Sequence, residues 1–287
     1  MNVSKPAFTS AATGPIVRSV RSMMAWVLIA LLPGIAARAR AFGADVWRQI
    51  AFALVFAVLA EALLLTLRGQ SLRRFLFDGS AVVAAALLAL CLPPNTPWWI
   101  IAFGVCAALL FGKHLFGGLG RNPFNPAMLG IALALICFPG VLAMPSVAIQ
   151  APNDHAWIWI AGLDALGGML LVSLRIVRWQ TPLAVLAGAT ICIVVLGLVG
   201  DPMALHAPLA NNLVLAAFFI ASDPVTGCVT PSGRWVFGLG VGLLIVLLQR
   251  VGANFASLPF AVLLMNCAAP WIDAHAQPLR LAEQRHD

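Results

Sequence analysis

Ten apolar runs follow one another along this sequence, at 22–37, 49–67, 80–92, 98–112, 126–144, 156–174, 182–198, 209–221, 235–248 and 257–272. No other feature constrains the fold as strongly. In hydrocarbon every backbone N–H and C=O must be satisfied inside the protein, and a helix does this within one segment. Composition agrees: 62% of the residues are hydrophobic and 9% are charged, where a soluble domain carries about 25% charge. A soluble fold with so much apolar residue would have no polar surface to cover it. We therefore expect an all-α membrane protein with about ten transmembrane helices. Several runs, the third and eighth above all, fall short of the roughly 20 residues that cross a bilayer upright. Short spans in a bundle point to helices broken part-way through the membrane.

The formal charge of +7 is then read as loop charge that sets topology rather than as a nucleic-acid site, since no basic stripe is interleaved with exposed aromatics. With the N-terminus inside, the inner segments hold Lys5, Arg18, Arg21, Arg68, Arg73, Arg74, Lys113, Arg121, Arg175, Arg178, Arg234, Arg280 and Arg285, and the outer ones only Arg38, Arg40, Arg48 and Arg250. From that asymmetry we expect both termini in the cytoplasm. The expected layout is a cytoplasmic segment (1–20), a first five-helix repeat (21–144), a short periplasmic loop (145–155), a second five-helix repeat (156–272) and a cytoplasmic tail (273–287). Residues 1–20 lack an apolar core and a cleavage site, so no secretory leader is read there. The six cysteines form no Cys-x-x-Cys pair and five lie in apolar runs, which supplies no zinc or iron–sulfur ligand set.

The two halves echo each other. The run 80–92 ends in Pro-Pro-Asn-Thr and the run 209–221 in Ser-Asp-Pro-Val-Thr, and residues 122–130 have a looser echo at 254–263. Five spans per half is an odd number, so the second half is inverted about an axis in the membrane plane. Repeats of this kind with broken central helices gather polar groups at mid-membrane. The most broken stretch is Gly-Gly-Leu-Gly-Arg-Asn-Pro-Phe-Asn-Pro-Ala-Met-Leu-Gly at 117–130. Its glycines and prolines cannot continue a helix. Asn122 and Asn125 each precede a proline and are driven to extended backbone. Such a segment at membrane depth lines a cavity or sits buried in protein, and we take it as the centre of the molecule.

Among the acids, Asp223 closes an apolar run. It is a candidate for ion handling or a cap for a half-helix starting at Pro224. Glu61 and Asp164 lie inside spans, and for each, ion or proton handling competes with a buried hydrogen-bonding role. Asp78-Gly-Ser reads as a helix start on the inner face, and His114 as a loop residue at headgroup level.

These motifs resemble a known family. Leu-Leu-Pro-Gly-Ile at 31–35, Asp-Gly-Ser at 78–80, the 117–128 segment, Phe-Ile-Ala-Ser-Asp-Pro-Val-Thr at 219–226 and Phe-Ala-Val-Leu-Leu-Met-Asn at 260–266 are similar to RnfD, a membrane component of the Rnf ion-translocating electron-transport complex. NqrB of the sodium-pumping NADH:quinone reductase is a more distant likeness. The resemblance covers about residues 15–275. It implies a ten-helix protein that carries flavin and passes electrons between ferredoxin or NADH and a partner, while the assembly moves Na+ or H+. Its partners would be the other membrane and peripheral subunits, with catalysis belonging to the assembly and no catalytic or metal-ligating residue in this chain. Asn122 and Asn125 match positions near a non-covalent riboflavin, and with Gly120 and Phe124 they form the expected cofactor-binding set. Asp223 matches a position tied to ion handling, and with Thr226, Glu61 and Asp164 it forms the expected ion pathway.

One motif departs from the family. Its members carry Asp-x-x-Ser-Gly-Ala-Thr in the outer loop between spans five and six, where FMN is attached to the threonine. Here that loop, 145–155, has no threonine. Thr190 follows Ala-Gly-Ala but lies inside span seven, and Thr181 lies near the cytoplasmic face. The expectation is therefore riboflavin or FMN held without a covalent bond. A competing class, a small-solute channel or transporter without a redox group, would use the same inverted repeats and broken helices. A third is a membrane protein that only assembles partners.

Overall fold

Each apolar run becomes helix in the computed structural model, which describes residues 19–72, 76–118, 120–142, 155–200, 212–253 and 255–276; no strand occurs among them. The first half contains α1 (Val20–Phe42), α2 (Ala44–Leu67), α3 (Ser80–Cys91), α4 (Trp98–Leu109) and α5 (Pro126–Cys137). The second contains α6 (Ala156–Ser173), α7 (Gln180–Leu198), α8 (Leu213–Leu215), α9 (Pro231–Arg250) and α10 (Ser257–Ala276). Six of these, α1, α2, α6, α7, α9 and α10, are long and apolar enough to cross a membrane. The 12-residue α3 rises only about 18 Å against a hydrocarbon core of about 30 Å. The chain breaks after α3 at Pro93, beside Asn95 with φ 65°. Two helices end in widened π-type turns. Leu110–His114 extends α4 and Ala216–Ile220 extends α8, closed by Leu115 N to the Leu110 carbonyl and Ala221 N to the Ala216 carbonyl.

The two halves match in their packing. α2 packs on α4 as α7 packs on α9, α4 on α5 as α9 on α10, and α2 on α3 as α7 on α8. The helices that cross between halves are equivalent partners, α1 with α6 and α5 with α10, which is what an axis relating two inverted five-helix repeats requires. Small residues allow the close crossings, as in membrane bundles generally. A Cβ on Gly167 would meet the Ala30 carbonyl oxygen, and one on Gly242 the Val185 carbonyl oxygen.

Several expected boundaries move. α1 was to stop at 37 with Arg38 and Arg40 in an outer loop, but the helix continues to Phe42, and Gly43 alone, φ 77°, separates it from α2. Arg38 stays helical because Asp164 compensates its charge, and Arg48 lies on α2. Pro224 does not open a half-helix. Residues 223–226 form a turn, and the next helix begins at Pro231, capped by Thr230 Oγ1 accepting from Gly233 N at 3.1 Å. α10 runs to Ala276 rather than 272. Asp78 does start α3, its Oδ1 accepting from Ser80 N at 2.8 Å. The expected N-terminal segment apart from residues 19 and 20, Arg73, Arg74, most of the 145–155 loop, Asn254 and the tail beyond 276 lie outside the described residues.

Candidate functional site

The 120–126 segment of the first half and the 222–225 break of the second meet around one cavity of about 320 Å³, while the first half's Pro-Pro break lies elsewhere, with Pro94 beside Arg38 and Asn212. Its polar wall is Ser80, Lys113, Asn122, Asn125, Ser222 and Asp223, and its apolar wall includes Met24, Val83, Leu87, Leu171, Phe218 and Phe219. Gly120 also lines it, with φ 85° and open space where a Cβ would stand. Four residues singled out from the sequence, Gly120, Asn122, Asn125 and Asp223, thus come together although about a hundred positions separate the last from the rest. An apolar pocket of roughly 300–1,000 Å³ with a few convergent polar groups is the usual form of a small-molecule site.

The local chemistry explains why this loop folds as it does. Asn125 is the N-cap of α5: its Oδ1 accepts from Met128 N at 3.2 Å, and Pro126 takes the first helical position, where no N–H is needed. The Asn125 amide also donates to the Ile220 carbonyl at 3.4 Å. Asn266 on α10 stitches the two breaks together. Its Oδ1 accepts from Asn125 N at 3.0 Å, and its Nδ2 donates to the Thr226 carbonyl at 3.0 Å. Asn122 is buried and donates to the Phe124 carbonyl at 3.2 Å. Asp223 holds its own turn: Oδ1 accepts from Val225 N at 3.0 Å and Oδ2 from Thr226 Oγ1 at 3.1 Å.

The remaining predicted residues lie elsewhere. Phe124 does not line the cavity; its ring meets Phe116 edge-on, 6.4 Å between centroids. Thr226 is buried behind Asp223. Glu61 lies one layer behind the wall, bonded to Lys113. Asp164 belongs to another cluster, where Arg38 holds both its oxygens at 2.9 Å and reaches Asn212 Oδ1 at 2.7 Å. The expected ion pathway is therefore three separate groups. Thr190 and Thr181 are both on α7, the former donating to the Leu186 carbonyl, and neither lines the cavity. His114 is not a headgroup-level loop residue. With Lys113 it belongs to the π-type turn, and both are buried against Glu61. Lys113, Ser80, Arg38, Asn212 and Asn266 were missed as site residues. Asn266 and Ser80 carried a signal, the one as the closing amide of the motif at 260–266 and the other as the serine of Asp-Gly-Ser at 78–80.

Comparison with known proteins gives a consistent picture. The family model described as the NQR2, RnfD, RnfE family matches residues 10–157 and again 144–282. The chain is 34% identical to the D-type component of the ion-translocating oxidoreductase complex of Marinobacter nauticus, covering 91% of each chain. It is 36% identical to that of Ectopseudomonas mendocina over 90% of each, and 33% identical to that of Vibrio cholerae over 93% of this chain and 97% of the other. The first of these alignments runs over 319 positions while this chain has 287 residues, so that relative carries residues absent here.

Proposed function

Because this chain belongs to the NQR2, RnfD, RnfE family, we propose that it carries a flavin in the cavity between its halves. It is a membrane subunit of an ion-translocating oxidoreductase complex. In our reading the complex is of the Rnf type and sits in the bacterial inner membrane, with both termini of this chain in the cytoplasm. Electrons pass between ferredoxin or NADH and a partner while the assembly moves Na+ or H+, and the neighbours are its other membrane and peripheral subunits.

One observation carries the cofactor: the cavity of about 320 Å³, largely apolar, with amides and one carboxylate on its wall. Its size suits a flat aromatic ring system, and its mostly apolar wall suits packing against one. A bound flavin would supply one- and two-electron transfer. The chain's own residues would supply position. Asn122 and Asn125 offer amide groups, Gly120 lets backbone approach closely, and Asp223 brings a carboxylate from the other half. Non-covalent riboflavin or FMN fits this set, since no threonine among the described residues lines the cavity and the 145–155 loop lacks one.

The test is flavin extraction and visible absorbance of the purified complex. Asn125 also caps α5, so its substitution must keep the cap. Asn125→Asp retains the acceptor for Met128 N and loses the amide donors, while Asn122→Leu removes the other amide. Each lost bond to a ligand is worth about 0.5–1.5 kcal/mol, which is several-fold in affinity. We expect the double variant to insert and to lose extractable flavin. Parent protein without a flavin band but with solute flux in liposomes would sink the reading in favour of a channel.

A further inference from the structure

A buried chain of hydrogen bonds leads from one end of α2 to the wall of this cavity. Glu61 is fully buried and holds two partners from the π-type turn: Lys113 Nζ lies 2.6 Å from Oε1, and His114 Nε2 lies 2.9 Å from Oε2. Lys113 Nζ also donates to Ser80 Oγ at 2.8 Å, and both Lys113 and Ser80 line the cavity. At the other end the exposed Arg68 lies 3.2 Å from His114 Nδ1 and donates to the His114 carbonyl at 3.0 Å. Ser80 Oγ donates onward to Asp78 Oδ1 at 2.6 Å. A guanidinium only donates, so Nδ1 accepts from Arg68, and the neutral ring carries its proton on Nε2, towards Glu61.

Packing alone gives a poor account of this arrangement. A buried ion pair contributes little that apolar side chains of equal volume would not, and ionisable groups inside membrane spans mark ion or proton paths by default. The backbone is also shaped for it. Sequence neighbours do not share a face on a regular helix, yet the widened turn brings Lys113 and His114 to opposite oxygens of one carboxylate. Turns of this type cluster at functional sites.

We propose that His114, Glu61 and Lys113 form a proton relay from the aqueous face at Arg68 to the group that occupies the cavity. The relay rests on the reading above in one respect only, that the proton acceptor is the occupant of that cavity. The Lys113 ammonium gives one N–H proton to the acceptor and becomes an amine. His114 takes a proton at Nδ1 from water once the exposed Arg68 side chain has swung aside, and passes its Nε2 proton to Glu61 Oε2. The Glu61 carboxyl turns and protonates Lys113, and the imidazole regains its starting tautomer by exchange with water, one proton leaving Nδ1 and one arriving at Nε2 as the ring rotates out and back. One proton has moved from the aqueous face to the cavity, no electron has moved, and every residue has regained its initial charge. Ser80 and Asp78 anchor the lysine without joining the transfer.

The experiment uses the intact complex in membrane vesicles. His114→Gln keeps an N–H for Glu61 but cannot shuttle a proton. Coupled electron flow should fall at least about tenfold, the lower range for loss of a general acid–base group, with extractable flavin unchanged. Imidazole added on the Arg68 side should restore most of it. Full activity without imidazole overturns the relay. Reduced activity that imidazole does not restore leaves only a structural bond, and overturns it too. A second measurement stands apart from that variant. Infrared difference spectra of the parent complex during turnover should show a transient protonated-carboxyl band that is missing in Glu61→Gln. Flavin present with no such band removes the relay alone, whereas the band present with no flavin in this chain removes the cofactor reading and keeps the relay.

Discussion

Arg38 lies one turn before the end of α1 with 4% of its surface exposed, and its guanidinium is shared between Asp164 and Asn212. Read as a bare sequence, this arginine marks a loop, because a charge interrupts an apolar run. The structure keeps it helical because its partner stands 126 residues away on α6, a pairing that no local pattern reveals. Arg38→Met should therefore leave a buried carboxylate without its cation and cost about 3–5 kcal/mol, seen as a sharp fall in the thermal midpoint of the purified protein. Adding Asp164→Leu should recover most of the loss, and no recovery would show that the pair does more than neutralise itself. Asp223 poses the opposite case. Its location at a Pro-interrupted break was legible, since an acid closing an apolar run stands out, but its expected cap was not, because no helix begins at Pro224. Asp223→Asn keeps an oxygen for Val225 N while giving up the charge. The variant should stay folded and flavin-loaded but impair ion-coupled electron flow in vesicles. Full coupled activity would leave Asp223 with its turn alone.

The helices were largely legible because hydrocarbon enforces them, and the apolar runs fall within a few residues of the observed elements. Less legible were the ends carrying charge, as at Arg38 and Arg40, and the π-type turns at Leu110–His114 and Ala216–Ile220, which have no periodicity of their own. The site was legible where glycine and proline break the chain, at Gly120, Asn122 and Asn125. It was not where a buried side chain waits for a partner from another helix, as Glu61 waits for Lys113. Helix crossings offer a direct test. Gly167 on α6 abuts the Ala30 carbonyl of α1, whereas Gly162 on the same helix has nothing within 4 Å. Gly167→Ala must push the two halves apart and should cost about 1–3 kcal/mol. Gly162→Ala should be neutral, or stabilising by up to about 1 kcal/mol from helix propensity. Equal thermal midpoints for the two variants would mean that the α1–α6 crossing is looser than drawn.

At the scale of the whole molecule, two side-chain ties fix which connections share a face. Arg48 at the start of α2 reaches Asn95 Oδ1, between α3 and α4, at 3.1 Å, so those two points lie on one side. Arg68 at the other end of α2 reaches the His114 carbonyl after α4, which places the 115–125 connection on the opposite side. Burial removes Arg38 from the outer charges and Lys113 from the inner ones, and the excess of arginine and lysine on the Arg68 side remains. That side should therefore be cytoplasmic. The expected layout of five crossings per half puts residues 143–154 on the side opposite both ends. Reporter fusions at either terminus, within 115–121 and within 175–180 should give cytoplasmic signals, and a fusion within 143–154 a periplasmic one. A cytoplasmic signal from 143–154 would contradict the odd number of crossings in each half, and with it the inversion that brings Asn125 and Asp223 to one cavity.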